Sequence, residues 1–324
     1  MNTRALPLYA TILIFLAAYA LAFTQFPNIL STRVVGNLLT DNAYLGIVAV
    51  GMTLVILSGG IDLSVGAVIA FSGVFIAVML RDTGLHPLPV FAILLVLTTC
   101  FGAAMGFLIH RLAMPAFIVT LAGMFLARGA AYLLSVQSVP ITHPFYRTLT
   151  DAYWLMPGRG RLTLIGCLML AVFVLGMVIA HRTRFGASVY ALGGGEATAR
   201  LMGVNLGRTT VLVYAFSGAM AGLSGIVFSV YTGSGYSLAT VGTELTAIAA
   251  VVIGGTLLTG GSGYVFGTLV GVLTMGLIQT YLVFDGTLSS WWTKIVIGLL
   301  LLAFILLQKG LLTLSQTRLA KGTA

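Results

Sequence analysis

Charged side chains are scarce in this sequence: Asp, Glu, Lys and Arg make up 7% of its 324 residues, whereas 59% are hydrophobic. A water-soluble fold of this length needs about a quarter of its residues charged, so most of the surface must face lipid. Backbone groups in lipid have to pair internally, and the apolar runs here lack the polar alternation of a membrane barrel. The sequence therefore predicts an all-α integral membrane protein.

Residues that carry catalysis or bind metals are also few. The sequence contains no G-x-x-x-x-G-K-[ST] loop for ATP and no G-x-S-x-G nucleophile elbow. No pair of histidines has the spacing of a metal site; the four are His86, His110, His143 and His181. We expect no catalytic residue, no metal and no cofactor, and we interpret the net charge of +9 as a signal of membrane orientation, not of nucleic-acid binding.

About ten apolar runs follow one another, and each has the length that crosses a hydrocarbon core of about 30 Å as a helix. We place them at 7–26, 41–58, 63–80, 88–109, 116–136, 162–181, 210–231, 244–259, 264–284 and 292–308. The run 244–259 is short and interrupted by Gly, so a broken or re-entrant helix is expected there. Together the runs predict a single polytopic domain over 1–324.

Lys and Arg are unevenly distributed between the connections. With the N-terminus in the cytoplasm, nine of them, including Arg4, fall inside and five fall outside, which is the bias that favours this orientation. The connection 182–209 supplies four of the nine. Both termini are therefore predicted to be cytoplasmic.

Glycine is abundant, with 40 residues, and several lie four positions apart, a spacing that lets helices approach closely in lipid. These sets are Gly102/Gly106, Gly218/Gly222 and Gly263/Gly267/Gly271. A shift of 201 residues also aligns Gly59 and Gly60 with Gly260 and Gly261. This faint repeat predicts two halves that each carry a Gly-Gly turn between spans, as in many transporters.

Charge inside the predicted spans is almost absent, although an ion-coupled carrier usually places Asp, Glu or His there. Only Arg128 lies near the middle of a span, where it either bonds neighbouring carbonyls or orients polar groups along a passage. A transport architecture without coupling charges or an ATP site predicts that a partner supplies the energy. The alternative is a stand-alone carrier driven by an ion gradient.

Neutral polar side chains in the spans are candidates either for lining a passage or for bonding a neighbouring helix. They are Asn42, Thr53, Ser58, Ser72, Thr120 and Gln279.

The connection 182–209 is the main predicted cytoplasmic excursion. Gly193-Gly194-Gly195 is expected to break the chain, and the next residues suit a short helix that is closed by Gly203. Glu196 and Arg200 form an i,i+4 pair in the favoured order. The apolar face, Ala197, Leu201 and Val204, suits docking in a groove of another protein or resting on lipid headgroups.

Three segments resemble the permease subunits of ribose-type ABC sugar importers. They are DNAYLGIVAVGMTLVILSGGIDLSVGAVIAFSG at 41–73, RTRFGASVYALGGGEATARLMGV at 182–204 and AIAAVVIGGTLLTGGSGYVFGTLVG at 247–271. TQFPNILSTR at 24–33 and FDGTLSSWWTKI at 284–295 look like one of the two paired permeases of a galactofuranose importer.

The resemblance implies a type II ABC importer-like permease bundle in the bacterial inner membrane, forming half of a sugar passage. It implies a second homologous permease, a cytoplasmic ABC ATPase and a periplasmic sugar-binding protein as partners. It also implies that a short permease helix sits in a cleft of the ATPase; the matching positions are Gly195, Glu196, Ala197, Arg200, Leu201, Met202 and Gly203. The family's turn between two spans matches Gly59, Gly60, Asp62, Leu63, Ser64 and Gly66. Read without the resemblance, Asp62 is expected to cap the helix that follows it.

Overall fold

The computed structural model describes residues 6–287 and 291–322, so Arg4 lies outside the described residues. Fourteen α-helices are found in these ranges: α1 (Leu6–Gln25), α2 (Thr32–Asp41), α3 (Ala43–Leu57), α4 (Val65–Thr83), α5 (Pro87–Arg111), α6 (Ala116–Leu134), α7 (Pro144–Thr150), α8 (Leu164–Arg182), α9 (Arg184–Gly194), α10 (Glu196–Leu201), α11 (Leu206–Thr232), α12 (Thr243–Ile253), α13 (Val265–Asp285) and α14 (Trp291–Gly322).

Seven of the described helices are individually long and apolar enough to cross a membrane: α1, α4, α5, α6, α8, α11 and α13. The pair α2 and α3, bent by 55°, makes an eighth span if it is counted as one. The prediction of an all-helical membrane protein is confirmed, but about ten is too high a number of complete spans. The 11-residue helix α12 is only about 16 Å long, and the apolar part of α14, Trp291–Leu306, is also short.

Short strands occur where the sequence predicted only connections. Strand β1 (Val139–Pro140) pairs with β4 (Ser234–Gly235), and β2 (Tyr153–Met156) pairs with β3 (Gly160–Thr163), both antiparallel. The β2–β3 hairpin packs on α2 through Thr32, whose hydroxyl donates to the carbonyl of Pro157 at 2.5 Å. The β2–β3 hairpin therefore lies beside α2.

Helix α3 forms the centre of the bundle. Every residue from Ala43 to Leu57 is buried except Tyr44, which is half-buried. A helix that is apolar on all faces has to be shielded from water by protein or by lipid; here the neighbours are protein, because α3 is packed by α8, α11, α12 and α13. The remaining helices therefore assemble around α3.

Helices α5 and α11 cross closely, as the glycine spacings predicted. A Cβ atom added to Gly102 would overlap the carbonyl oxygen of Tyr214, and one added to Gly218 would overlap that of Thr98. Lipid tails are as apolar as the side chains themselves, so helices gain little by burying apolar surface against each other. Close approach of their backbones is therefore a main source of attraction between helices. The two glycines thus permit the contact that joins α5 to α11.

The ends of α3 and α12 have the same conformation. Gly59 (φ 86°) and Gly255 (φ 88°) are both left-handed, and the residue after each donates its N–H to the carbonyl five residues earlier. The following helices begin at Val65 and Val265. The predicted pair of turns exists, but the match of Gly59 with Gly260 is wrong, because the second turn carries additional residues that displace the register.

Replacing Gly102 or Gly218 by Ala should destabilise the protein by about 1–3 kcal/mol, because each new methyl group overlaps fixed backbone. Thermal unfolding of the detergent-purified chain measures this loss. The matched control is Gly129→Ala in α6, where an added Cβ meets nothing within 4 Å. A Gly218→Ala variant as stable as this control would contradict the glycine contact.

Candidate functional site

The segment 182–209 forms α9 and α10. The chain breaks within the predicted run of three glycines, but only at Gly195, with φ 151°, because helix α9 continues through Gly193 and Gly194. Helix α10 ends as predicted: Gly203 has φ 79°, and its N–H donates to the carbonyl of Arg200. The result is a separate six-residue helix between two glycine joints.

Helix α10 turns most of its side chains away from the rest of the chain. Ala199 is its one buried residue, whereas Leu201 is 89% exposed and Met202 is 71% exposed. Glu196 and Arg200 are also exposed, and in the described part of the chain they form no ion pair with each other. The expected pair fails because exposed charges gain little from holding one geometry. An apolar and charged surface is left without a partner.

Three pairs of glycines meet behind α10, and we call them the glycine junction: Gly59–Gly60, Gly193–Gly194 and Gly260–Gly261. A Cβ on Gly193 would overlap the carbonyl oxygen of Leu57, and one on Gly261 would lie 2.8 Å from the Cα of Gly194. The N–H of Gly261 donates to the carbonyl of Leu57 at 2.9 Å. The end of α9 is therefore held between the turn after α3 and the turn after α12.

Tyr190 adds a side-chain link at the same place. It lies on α9, and its hydroxyl donates to the carbonyl of Gly263, in the turn between α12 and α13, at 2.7 Å. Burial raises the pKa of Tyr190, and nearby Tyr264 raises it further. The hydroxyl consequently stays protonated and keeps its role as donor.

Asp62 lies in the turn between α3 and α4, where it does not cap α4. One carboxylate oxygen accepts the N–H and the hydroxyl of Ser64, at 3.0 and 2.6 Å, and the other accepts the hydroxyl of Ser217 at 2.7 Å. The capping interpretation is wrong because α4 begins at Val65 and the carboxylate is turned toward α11. The fully buried Asp62 therefore ties the turn to α11.

Four of the predicted pathway residues bond backbone or a neighbouring helix. Ser58 and Ser72 each donate to a carbonyl of their own helix. Thr53 contacts the hydroxyl of Thr268 at 2.8 Å, and Thr120 donates to the carbonyl of Ile61 at 3.2 Å. The hydroxyls of Thr53 and Thr120 therefore join separate elements, whereas those of Ser58 and Ser72 are satisfied within their own helices.

Arg128 points toward the connection between α11 and α12. Its guanidinium donates to the carbonyls of Ser237 and Ala239. Of the two roles considered, the geometry matches carbonyl bonding, because these two hydrogen bonds fix an irregular segment that has few backbone partners of its own.

Asn42 and Gln279 come together at the other end of the bundle, in a cavity of ≈ 340 Å³. The cavity lies between α2, α3, α11 and α13, and Asp41 and Tyr231 also line it. Tyr231 donates its hydroxyl to Asp41 at 3.1 Å. The sequence interpretation named neither of these two residues, nor Ser217, because exposed span ends and single serines carry no pattern that marks a site.

The described fold is thus a multi-pass helical bundle with a polar cavity at one end and an exposed short helix at the other. Residues 34–305 match the family described as the permease component of branched-chain amino acid transport systems, and the chain belongs to that family. It is a transport subunit and not an enzyme, because its relatives are permeases.

Individual relatives cover almost the whole chain. The inner membrane ABC transporter permease protein YjfF of Escherichia coli (strain K12) is 60% identical over 318 residues, which is 98% of this chain and 96% of that protein. The fructose import permease protein FruG of Bifidobacterium longum (strain NCC 2705) is 37% identical over 96% of this chain and 93% of its own length. The ribose import permease protein RbsC of Escherichia coli (strain K12) is 37% identical over 90% of both chains.

Substituting Asp62 by Ala should lower the free energy of unfolding by about 1–3 kcal/mol, because the buried donors of Ser64 and Ser217 lose their acceptor. Asp62→Asn keeps one acceptor oxygen and should lose less. Thermal unfolding measures both variants. Asp82→Ala is the control, because its ion pair with Arg81 is exposed to solvent and should contribute little to stability. Equal losses for the Asp62→Ala and Asp82→Ala variants would contradict the role assigned to Asp62.

Proposed function

We propose that this chain is the permease subunit of an ATP-driven importer and forms half of the passage for a monosaccharide across the bacterial inner membrane. The observation that carries the proposal is the exposed helix α10, of which only Ala199 is buried within the described part of the chain, and which follows the glycine junction directly. The relatives named for fructose and ribose import favour a monosaccharide. The resemblance at 24–33 and 284–295 favours galactofuranose or a related furanose.

Helix α10 is the proposed docking surface for a cytoplasmic ABC ATPase. Leu201 and Met202 have the exposure of residues that fill a cleft on a partner, and Glu196 and Arg200 beside them supply charges that fix its orientation. We place α10 and both termini in the cytoplasm, as the distribution of Lys and Arg favours. The chain 182–209 then serves as the coupling segment of the permease.

The other proposed partners complete the passage. A second, homologous permease supplies the other half, as a heterodimer within the lipid bilayer, and a periplasmic sugar-binding protein delivers the cargo. These partners come from the family resemblance. The short helix α12 and the turns at the glycine junction are the elements of this chain that would move against the partner permease.

The mechanism follows from how α10 is attached. ATP binding closes the ATPase and displaces α10, and α9 transmits the displacement to the turns after α3 and α12, which it contacts directly. Packed helices respond to such a displacement by rigid-body or hinge motion. ATP drives this change only because the ATPase binds ATP with different affinities in the two states of the transporter.

Replacing Arg200 by Glu, with Glu196 intact, should abolish both uptake of radiolabelled galactose or ribose and co-purification of the ATPase. Uptake and co-purification should be lost because the substitution reverses a charge on the docking surface. The amount of the chain in the membrane should not change. Leu201→Ala should reduce the co-purified ATPase about tenfold, because the interface loses a buried leucine side chain.

The matched control is Leu133→Ala, at a leucine that is 91% exposed on α6 and should not affect either measurement. Normal ATPase recovery and uptake with Arg200→Glu would refute the coupling role. Sugar uptake by the chain alone in proteoliposomes, driven by a proton or sodium gradient, would favour the stand-alone carrier instead.

A further inference from the structure

The cavity of ≈ 340 Å³ at the end of the bundle has the size of a small-molecule site, for which about 300–1,000 Å³ is typical. It lies at the C-terminal end of α11, whereas α10 precedes the N-terminal end of that helix. Helix α11 has 27 residues and is about 40 Å long. The cavity and α10 are therefore separated by the length of a span, on opposite sides of the bundle.

The polar groups of this cavity are largely unoccupied by the protein. Among the described residues, the side-chain amides of Asn37 and Gln279 have no hydrogen-bond partner. Asp41 accepts the hydroxyl of Tyr231 at one oxygen, and no described residue donates a hydrogen bond to the second oxygen of its carboxylate. Amides and carboxylates that face a cavity can exchange hydrogen bonds with the neighbouring hydroxyls of a sugar ring.

One wall of the cavity depends on a glycine. Asn42 is 3% exposed and donates its amide to the carbonyl of Leu38 at 2.9 Å. A Cβ added to Gly276 would overlap that amide nitrogen. Gly276 therefore lets α13 approach α3 at the place where Asn42 and Gln279 face the same space.

Aromatic side chains form another part of the wall. The rings of Tyr44 and Phe228 meet edge to face, with centroids 5.0 Å apart, and Tyr231 lies beside them. Aromatic surfaces bury the apolar C–H groups of a ligand, while the Tyr hydroxyls remain available for hydrogen bonds. A polyol ring has both kinds of surface.

The charge of the cavity is negative. Asp41 is its one ionisable carboxylate, and no Lys, Arg or His is among the residues that line it. An anionic ligand would be repelled by Asp41 and would find no cation. A smaller cavity of ≈ 120 Å³ between α4, α5 and α6 has almost wholly apolar walls and leaves sugar hydroxyls without partners.

Resting on the function proposed above, we propose that this cavity is a transit subsite for neutral monosaccharides. Asn37 and Gln279 provide amides for the ring hydroxyls, Asn42 supports the wall beside them, and Tyr44 and Tyr231 provide the aromatic surface. Asp41 determines specificity by excluding sugars that carry a carboxylate or a phosphate.

Saturation-transfer-difference NMR on the importer in lipid nanodiscs, purified with its ATPase but without the binding protein, tests this proposal directly. The probes are galactose and galacturonate, which share ring stereochemistry and differ in charge. The wild-type importer should favour galactose about tenfold, and Asp41→Lys should invert the preference. Asp41→Asn should remove the discrimination, and Gln279→Leu should weaken galactose binding about tenfold. Asp285→Asn, an acid at the end of α13 outside the cavity, should not change either signal.

Retention of the ATPase shows that each variant is folded and assembled, and if Asp41→Lys does not assemble, Asp41→Asn carries the test. A wild-type preference that Asp41→Lys and Asp41→Asn leave unchanged would overturn the proposal. So would a wild-type importer that binds neither probe or both equally. If the ATPase still co-purifies in that case, the subsite is refuted and the proposed function stands; a wild-type chain that retains no ATPase refutes the proposed function instead.

Discussion

Contact between backbones, without intervening side chains, organises this permease. The end of α3, the end of α9 and the turn after α12 meet at the glycine junction, where an added Cβ on Gly193 or Gly261 has no space. Lipid offers apolar side chains nearly the same environment as protein, so close approach and hydrogen bonds such as that from Gly261 to Leu57 hold the segments together. Every displacement of α9 must therefore move the turns on both of its sides.

With α9 held at the glycine junction, the two ends of the molecule have different proposed roles. Helix α10 is anchored to the junction yet presents Leu201 outward, so its surface is suited to a partner and not to the core. The polar cavity around Asp41 lies about one span away and is built from the ends of four helices. Helix α3, buried along its length, connects the cavity with the junction. The proposed docking helix and the proposed sugar subsite therefore lie at opposite ends of α3.

The sequence predicts the helices well because each predicted run coincides with a described helix, and hydropathy alone decides that outcome. Glycine chemistry also predicts the end of α10 at Gly203, since few other residues adopt its backbone conformation. Whether an apolar helix is a complete span depends on its length. The estimate of ten spans fails at α12 because that helix has only 11 residues.

The candidate site was predicted only in part, because tertiary packing selects among equivalent polar residues. Thr53 and Gln279 are similar candidates by sequence, yet Thr53 bonds Thr268 between helices and Gln279 faces a cavity. Asp62 satisfies the local pattern of a helix cap, but Ser217, distant in sequence, offers its carboxylate a better partner. The repeat around Gly260 was misaligned because a simple alphabet matches at several registers, and only the helix ends fix the correct one.

Cysteine labelling from the two sides of the membrane tests most directly whether force and cargo act at opposite faces. The chain would carry Thr198→Cys on α10 or Trp154→Cys on β2, with Cys100 and Cys167 replaced by Ala. A membrane-impermeant maleimide should label Thr198→Cys only in inverted vesicles and Trp154→Cys only in intact spheroplasts. Labelling of Thr198→Cys in intact spheroplasts, or of both positions from one side, would contradict the account.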